Sequence, residues 1–419
     1  MKIAYFTDTF VPEVNGVTYA VLNFSENLAK RGHSVIIFCP EYERRSESKL
    51  NRNVVVERFR SIQTPTYKDT RIALPDFSRI YQRFIDFNPA VVHIHTPGTL
   101  GLAGMLIAKW RDVPLVGTYH TLISELPMYF SPKALIQWPK VKQELMGNGW
   151  FKNIAEGLET LRGNLGWEYK KVKKRESAFE KITWFLQNKF YNYCDLVIVP
   201  SSAIKKELVK RKMKKRVEVV SNGIDLENFW PKKNYRFLGK ILYSGRVGYE
   251  KNIDKVIEAF AVVRKNGCNC ELIVAGDGPA MNDMKILADK LRVTRVIRFL
   301  GMVPRRKLGR IYRAADVFVT ASTMETQGLV ILEAMASGLP VVGVDKYAIS
   351  DMVHDGENGY VVKTGSRVKQ SIARAVSMIL DDAHLRERMG RNARKSVESH
   401  NAIRMAEVTE KLYTGLVQA

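Results

Sequence analysis

Twice along this chain, short apolar strands alternate with helices, and the second series restarts after residue 235. The first opens with "KIAYF" (2–6), a strand. The helix "GVTYAVLNFSENLAKRG" follows and ends on Gly32, a natural C-cap, ahead of the strand "HSVIIFCP" (33–40). Further strands read as "AVVHIHTP" (90–97), "VPLVGTYHT" (113–121), "CDLVIVPS" (194–201) and "VEVVSNGID" (217–225), with the helix "GLAGMLIAKWRD" among them. The second series runs from "KILYSGRV" (240–247) through "CELIVAGDG", "VIRFLGMV" and "DVFVTAS" to "PVVGV" (340–344), with a helical segment after each of the first four. Strands apolar along their whole length, alternating with helices, imply parallel sheets covered on both faces. The fold class is therefore α/β, with two Rossmann-like, doubly wound domains facing a cleft. The charged stretch "DLENFWPKKNY" (225–235) links residues 1–225 to a second domain over 236–395.

One segment breaks the rhythm. Residues 133–189 are helical in character and strongly basic, and form an insert in the N-terminal domain. They hold Trp138, Trp150, Trp167 and Trp184, together with the cluster Lys170, Lys171, Lys173, Lys174 and Arg175.

The net charge of +23 predicts attraction to phosphate-rich surfaces: nucleic acid, anionic lipid or nucleotide. No zinc, helix-turn-helix or RNA-binding signature is present and the basic residues spread over both halves, so no specific nucleic-acid partner is expected. The four cysteines show neither metal-ligand spacing nor a disulfide framework, which fits a reducing, cytoplasmic setting. No run of about 18 apolar residues occurs, so membrane contact is expected to be peripheral.

The chemistry concentrates in "TMETQGLVILEAMASGLPVV" (323–342). A strand delivers the chain to the cleft, a turn follows, and a helix starts near Gly328. The first amides of a helix lack internal partners and the dipole there is positive, so that end suits a diphosphate. Glu325, just ahead of it, is placed to reach sugar hydroxyls. Glu333, on the helix, is placed to accept from the two hydroxyls of a ribose. Arg246 and Lys251, in "SGRVGYEKN" (244–252), flank a loop at another strand end. Cations there could grip a leaving diphosphate.

The loop "TDTFVPEVNGV" (7–17) is not G-x-G-x-x-G, which argues against a nicotinamide or flavin site, but Asn15-Gly16 starts a helix and could offer an amide to phosphate. His120 ends a strand facing the cleft and is a candidate, although a lone histidine is more often a packing residue. His93 and His95 read as core or edge residues and not as metal ligands, because no carboxylate stands at suitable spacing.

"GRVGYEKN", "AGDGP", "FLGMV", "ADVFVTAS" and "ETQGLVILEAMASGLPVVG" together resemble the retaining glycosyltransferases of family 4, which have the GT-B fold. The resemblance covers nearly the whole chain and is weakest over 133–189. It implies that Glu325 binds the donor sugar's hydroxyls and Glu333 the nucleotide ribose. Arg246, Lys251 and the backbone at Gly16, Gly328, Leu329 and Val330 would bind the diphosphate, and His120 would contact the donor sugar near the reacting carbon. It implies no metal ion and no cofactor beyond the nucleotide-sugar substrate. Residues from about 396 to 419 would cross back to the first domain.

The wording "METQGLV" is most similar to the subgroup that glycosylates diacylglycerol-type lipids from UDP-glucose. The resemblance thus implies hexose transfer to a lipid acceptor by an enzyme peripheral at the cytoplasmic face of the membrane. The insert agrees with that expectation, since aromatic residues beside lysines suit an anionic headgroup boundary. Trp150, Phe151 and the 170–175 cations are the expected membrane contacts. Leu126, Met128, Tyr129 and Phe130 would line the acceptor's entry. The alternative is a soluble family member acting on a sugar, sugar phosphate or polyol such as phosphoinositol.

Overall fold

The computed structural model describes residues 1–43, 50–63, 70–121 and 178–418. Seven parallel strands form the first sheet: β1 (Lys2–Phe6), β2 (Ser34–Pro40), β3 (Val54–Phe59), β6 (Val91–Ile94), β7 (Leu115–Thr118), β8 (Leu196–Val199) and β9 (Val217–Val219). Their spatial order is β3-β2-β1-β6-β7-β8-β9, so the winding reverses between β1 and β6. A small antiparallel pair, β4 (Ser61–Gln63) and β5 (Arg71–Ala73), lies between β3 and helix α2 (Phe77–Phe87) in the chain.

Strand β1 shows why the sheet is covered on both sides. Successive side chains point to opposite faces. Ala4 and Phe6 join one buried cluster with residues of α2, α3 (Thr99–Trp110), α4 (Ala178–Tyr191) and α5 (Ser202–Lys210). Ile3 and Tyr5 join the other, with helix α1 (Gly16–Lys30) and the C-terminal segment. Residues 54–87 carry elements that the alternation does not announce. Among them α2 is pinned by its cations: Arg79 Nη2 donates to Glu57 Oε2 on β3 at 2.9 Å, and Arg83 pairs with the same carboxylate.

The second sheet holds β10 (Lys240–Ser244), β11 (Glu271–Ala275), β12 (Ile297–Gly301), β13 (Val317–Val319), β14 (Val341–Val344) and β15 (Gly359–Val362), ordered β12-β11-β10-β13-β14-β15. Its winding reverses between β10 and β13. In open α/β sheets the crevice outside the strand carboxyl ends at such a reversal is where ligands bind. Helices α6 (Ile253–Lys265), α7 (Met281–Lys290), α8 (Arg305–Arg313), α9 (Leu329–Ala336), α10 (Ala348–Met352), α11 (Val368–Asp381) and α12 (Ala383–Ser396) cover this domain.

The chain then returns to the first domain. Helix α13 (Ala402–Val417) buries Met405, Ala406, Thr409 and Tyr413 against α1 and the first sheet. Arg31 ties the rim of this contact to Glu407 and Glu410, at 3.0 and 2.6 Å. These two lobes form the GT-B architecture that the resemblance implies. Of the insert expected over 133–189, only its last stretch, in α4, falls among the described residues. No described helix is long and apolar enough to cross a membrane.

Candidate functional site

The loop after β10 and the loop after β11 are stacked so closely that only glycine fits between them. Val247 N–H donates to Asp277 O at 2.9 Å, and a Cβ on Gly278 would lie 2.4 Å from Val247 O. This contact fixes the path of Arg246 and delivers the chain into the short 3-10 turn Tyr249–Lys251. Asn252 then ties the turn to the loop that follows β13, its side-chain amide donating to Ala321 O at 3.1 Å. The turn carrying Lys251 and the loop carrying Glu325 are thereby held side by side.

Both expected cations meet a carboxylate. Lys251 Nζ donates to Glu325 Oε1 at 2.7 Å, with both side chains largely buried. Arg246 Nε donates to Glu250 Oε1 at 3.1 Å, and the Glu250 side chain is wholly buried. Burial alone would raise the Glu325 carboxyl, but Lys251, the Ser322 hydroxyl and Arg246 outweigh it and hold the group below its ordinary value. Glu325 is therefore an anion at neutral pH, beside two cations whose charge a diphosphate could share.

Glu333 lies on α9 with only 2 % of its surface exposed. Arg305 pairs with its Oε1, and Tyr312 OH donates to its Oε2 at 3.0 Å. The Arg305 guanidinium also sits over the Tyr19 ring of α1, 4.2 Å from its centroid. One cation thus holds the expected ribose carboxylate while touching the other domain. Neither Arg305 nor Tyr312 stood out in the sequence. Arg305 is one of several basic residues in "PRRKLGR", and nothing in that run marks which arginine turns inward.

Two helix starts converge here. Asn15 caps α1, its side-chain oxygen accepting from Thr18 N–H at 2.8 Å. Gly328 precedes α9 with φ +77, the left-handed region that favours glycine. A Cβ built on Gly16 would lie 3.9 Å from Leu329 Cδ1, so the two N-terminal ends face each other across the domain boundary. Gly16 thus lies close to Leu329, which Gly328 and Val330 flank in the chain. In the same "TDT" loop, Asp8 is structural. Its carboxylate accepts from Leu100 N–H at 3.0 Å and from Thr96 and Thr99, satisfying the start of α3.

The loop 325–328 also bolts the domains together. Thr326 Oγ1 donates to His120 O at 2.7 Å, Ser201 Oγ donates to Thr326 O at 2.7 Å, and Asn222 N–H donates to Gln327 Oε1 at 2.8 Å. His120 is therefore one loop away from Glu325. Its ring is buried, which pushes its pKa down to about 3 and keeps it neutral at physiological pH. His93 and His95 are buried in the core beside it, as the sequence implied.

Leu126, Met128, Tyr129, Phe130, Trp150, Phe151, Lys170, Lys171, Lys173, Lys174 and Arg175, the expected acceptor and membrane contacts, lie outside the described residues. Of the insert's four tryptophans, Trp184 is described, and it is a core residue. It is stacked on Tyr119 at 5.8 Å, with the Arg211 guanidinium 4.0 Å from its ring. Trp184, which was not among the expected membrane contacts, thus packs α4 against the residue that follows β7.

Two family models match the chain in sequence: Glycosyltransferase Family 4 over residues 14–228 and Glycosyl transferases group 1 over 228–396. The chain is 30% identical over 371 residues to the alpha-monoglucosyldiacylglycerol synthase of Streptococcus pneumoniae, covering 85% of this chain and 74% of that protein. It is 26% identical over 436 aligned positions to the alpha-monoglucosyldiacylglycerol synthase of Acholeplasma laidlawii, covering 100% of this chain and 98% of the relative. Among solved structures, sucrose-phosphate synthase from Thermosynechococcus elongatus is similar with a TM-score of 0.70 at 16% identity, over 99% of this chain and 98% of the other. At that identity the likeness speaks to the fold alone.

Proposed function

This chain belongs to glycosyltransferase family 4, and from that membership we propose that it transfers glucose from UDP-glucose to a diacylglycerol-type lipid, with retention of configuration. The observation that carries the reading is the meeting of Lys251 and Glu325 beside the paired helix starts at Gly16 and Gly328. Cation, amides and carboxylate there match the parts of a sugar diphosphate in order. The diphosphate lies against Arg246, Lys251 and the amides of Gly328, Leu329 and Val330. The ribose hydroxyls donate to Glu333, the sugar hydroxyls donate to Glu325, and His120 meets the sugar near its reacting carbon. Charge on the leaving group is neutralised by side chains and helix ends, without a metal ion.

The acceptor hydroxyl attacks the anomeric carbon from the face that the leaving phosphate vacates. As the bond to UDP breaks through an oxocarbenium-like state, a β-phosphate oxygen takes the acceptor's proton. The protein orients the partners and stabilises charge, and the domains exclude water from the step. The lipid acceptor is supported by what the two bacterial relatives are named for. A peripheral position on an anionic membrane is supported by the net charge of +23.

Purified protein incubated with a panel of nucleotide sugars and diacylglycerol vesicles, read by mass spectrometry, tests the proposal. Monoglucosyl diacylglycerol formed from UDP-glucose is the expected product. Transfer only to a water-soluble sugar or polyol would replace the lipid assignment with the soluble alternative.

A further inference from the structure

The "HIH" of residues 93–95 and His120 place three imidazoles side by side under the cleft. The His93 and His95 rings stack with centroids 4.0 Å apart, and His120 continues the stack 5.4 Å from His95. His93 is fully engaged. Its Nδ1 bonds the Tyr413 hydroxyl of α13, its Nε2 bonds Thr118 Oγ1 at 2.6 Å, and Tyr5 presents its ring edge to both stacked rings. That anchorage holds His95 in place from beneath. His95 Nδ1 and His120 Nε2 are 3.1 Å apart and share one hydrogen bond. The other nitrogens, His95 Nε2 and His120 Nδ1, have no partner among the described residues, although both rings are more than nine-tenths buried.

A neutral imidazole carries one proton, and the hydrogen bond at one nitrogen fixes the state of the other. Only two arrangements of the pair are consistent with the shared bond. Either both rings are protonated at Nδ1 and His95 donates, or both are protonated at Nε2 and His120 donates. An unconstrained histidine side chain favours the Nε2–H form, so the second arrangement has the lower cost on both rings.

We propose that His95 is a positioning residue: its Nδ1 accepts from His120 Nε2–H, which keeps the His120 Nδ1 lone pair open to accept from a hydroxyl of the donor sugar. This rests on the donor-site reading above and adds a second residue to it. The anchor of the pair is the C-terminal helix, through Tyr413 and His93, so the tail's return to the first domain reaches the reaction centre.

The test uses full-length protein labelled with 15N-histidine. Long-range 15N–1H spectra distinguish Nδ1–H from Nε2–H, and the signal lost in His120→Gln identifies His120. His95→Asn places an amide oxygen near the former Nδ1, whereas His95→Leu removes the acceptor at similar volume. Expected are Nε2–H at His120 in wild type and in His95→Asn, with that proton held downfield by its hydrogen bond, and loss of the downfield shift in His95→Leu. Steady-state donor turnover should follow: kcat/KM for the nucleotide sugar falls about tenfold in His95→Leu, the worth of one hydrogen bond, and recovers in His95→Asn. Nδ1–H at His120 in wild type, or an Nε2–H shift left unchanged in His95→Leu, overturns the proposal. If His120→Gln turns over donor at the wild-type rate, the donor reading of His120 falls and the sugar contact falls with it, whatever the tautomer.

Discussion

At the scale of single residues, the Lys251–Glu325 pair decides most. Each side chain is largely buried, so each depends on the other for its charge. Lys251→Ala and Glu325→Ala should each lower donor turnover by about 10²–10³-fold, the range for removing one stabiliser of developing charge, with circular dichroism unchanged. Turnover within threefold of wild type, roughly 0.6 kcal/mol, would remove the pair from the site. The pair also sets a pH dependence. The folded Glu325 carboxyl lies below its ordinary 4.5, so its contribution to stability is full above that value and is lost as pH falls through the lower folded value. Melting temperatures taken from about pH 6 to about pH 3 should therefore drop more steeply for wild type than for Lys251→Ala, which has less of this term to lose. The two glutamates stood out in the sequence because their spacing around Gly328 is distinctive, whereas Arg246 and Lys251 were singled out only with the help of the family resemblance. Arg305, Tyr312 and Glu250 were not, because an inward-facing arginine or a buried glutamate carries the same letter as a solvated one.

At the scale of elements, α9 depends on how it begins. Gly328 sits at φ +77, and a Cβ there would lie 3.0 Å from Ile331 Cδ1. Gly328→Ala should cost about 1–2 kcal/mol for the left-handed backbone and raise the KM for donor, because the amides of Leu329 and Val330 tilt away. The urea midpoint, at unchanged m-value, reads the first effect and donor kinetics read the second. An unchanged midpoint would mean that the backbone relaxes to a negative φ. Most strands of both sheets were legible from apolar runs, but β3 and β15 were not, and β13 spans only Val317–Val319 of the run "DVFVTAS". Its end is set by the turn chemistry at Thr320 and Ser322, not by apolarity. Helix α2 escaped notice because its arginines at 79 and 83 look solvated until Glu57 is placed beneath them.

At the scale of the whole molecule, the chain leaves its first domain, builds the second and returns through α13, so the cleft is framed by segments far apart in sequence. Tyr413 and Tyr5, whose hydroxyls lie 3.3 Å apart, close that circuit. No local pattern could announce such a contact; the family resemblance could, since it implied the return. The net charge of +23 was legible outright, and it leads to an expectation at this scale. The protein should float with vesicles containing anionic lipid and be released as salt rises above about 0.5 M, where screening acts within a few ångströms. Equal binding to zwitterionic vesicles would show that charge does not direct it. The central claim is that a sugar nucleotide's diphosphate lies between the facing starts of α1 and α9, met by Arg246 and Lys251. A crystal structure with UDP-glucose tests this most directly. Phosphate oxygens are expected on the Leu329 and Val330 amides and on both cations, with the ribose at Glu333; a nucleotide bound away from the carboxyl ends of β10 and β13 would contradict this.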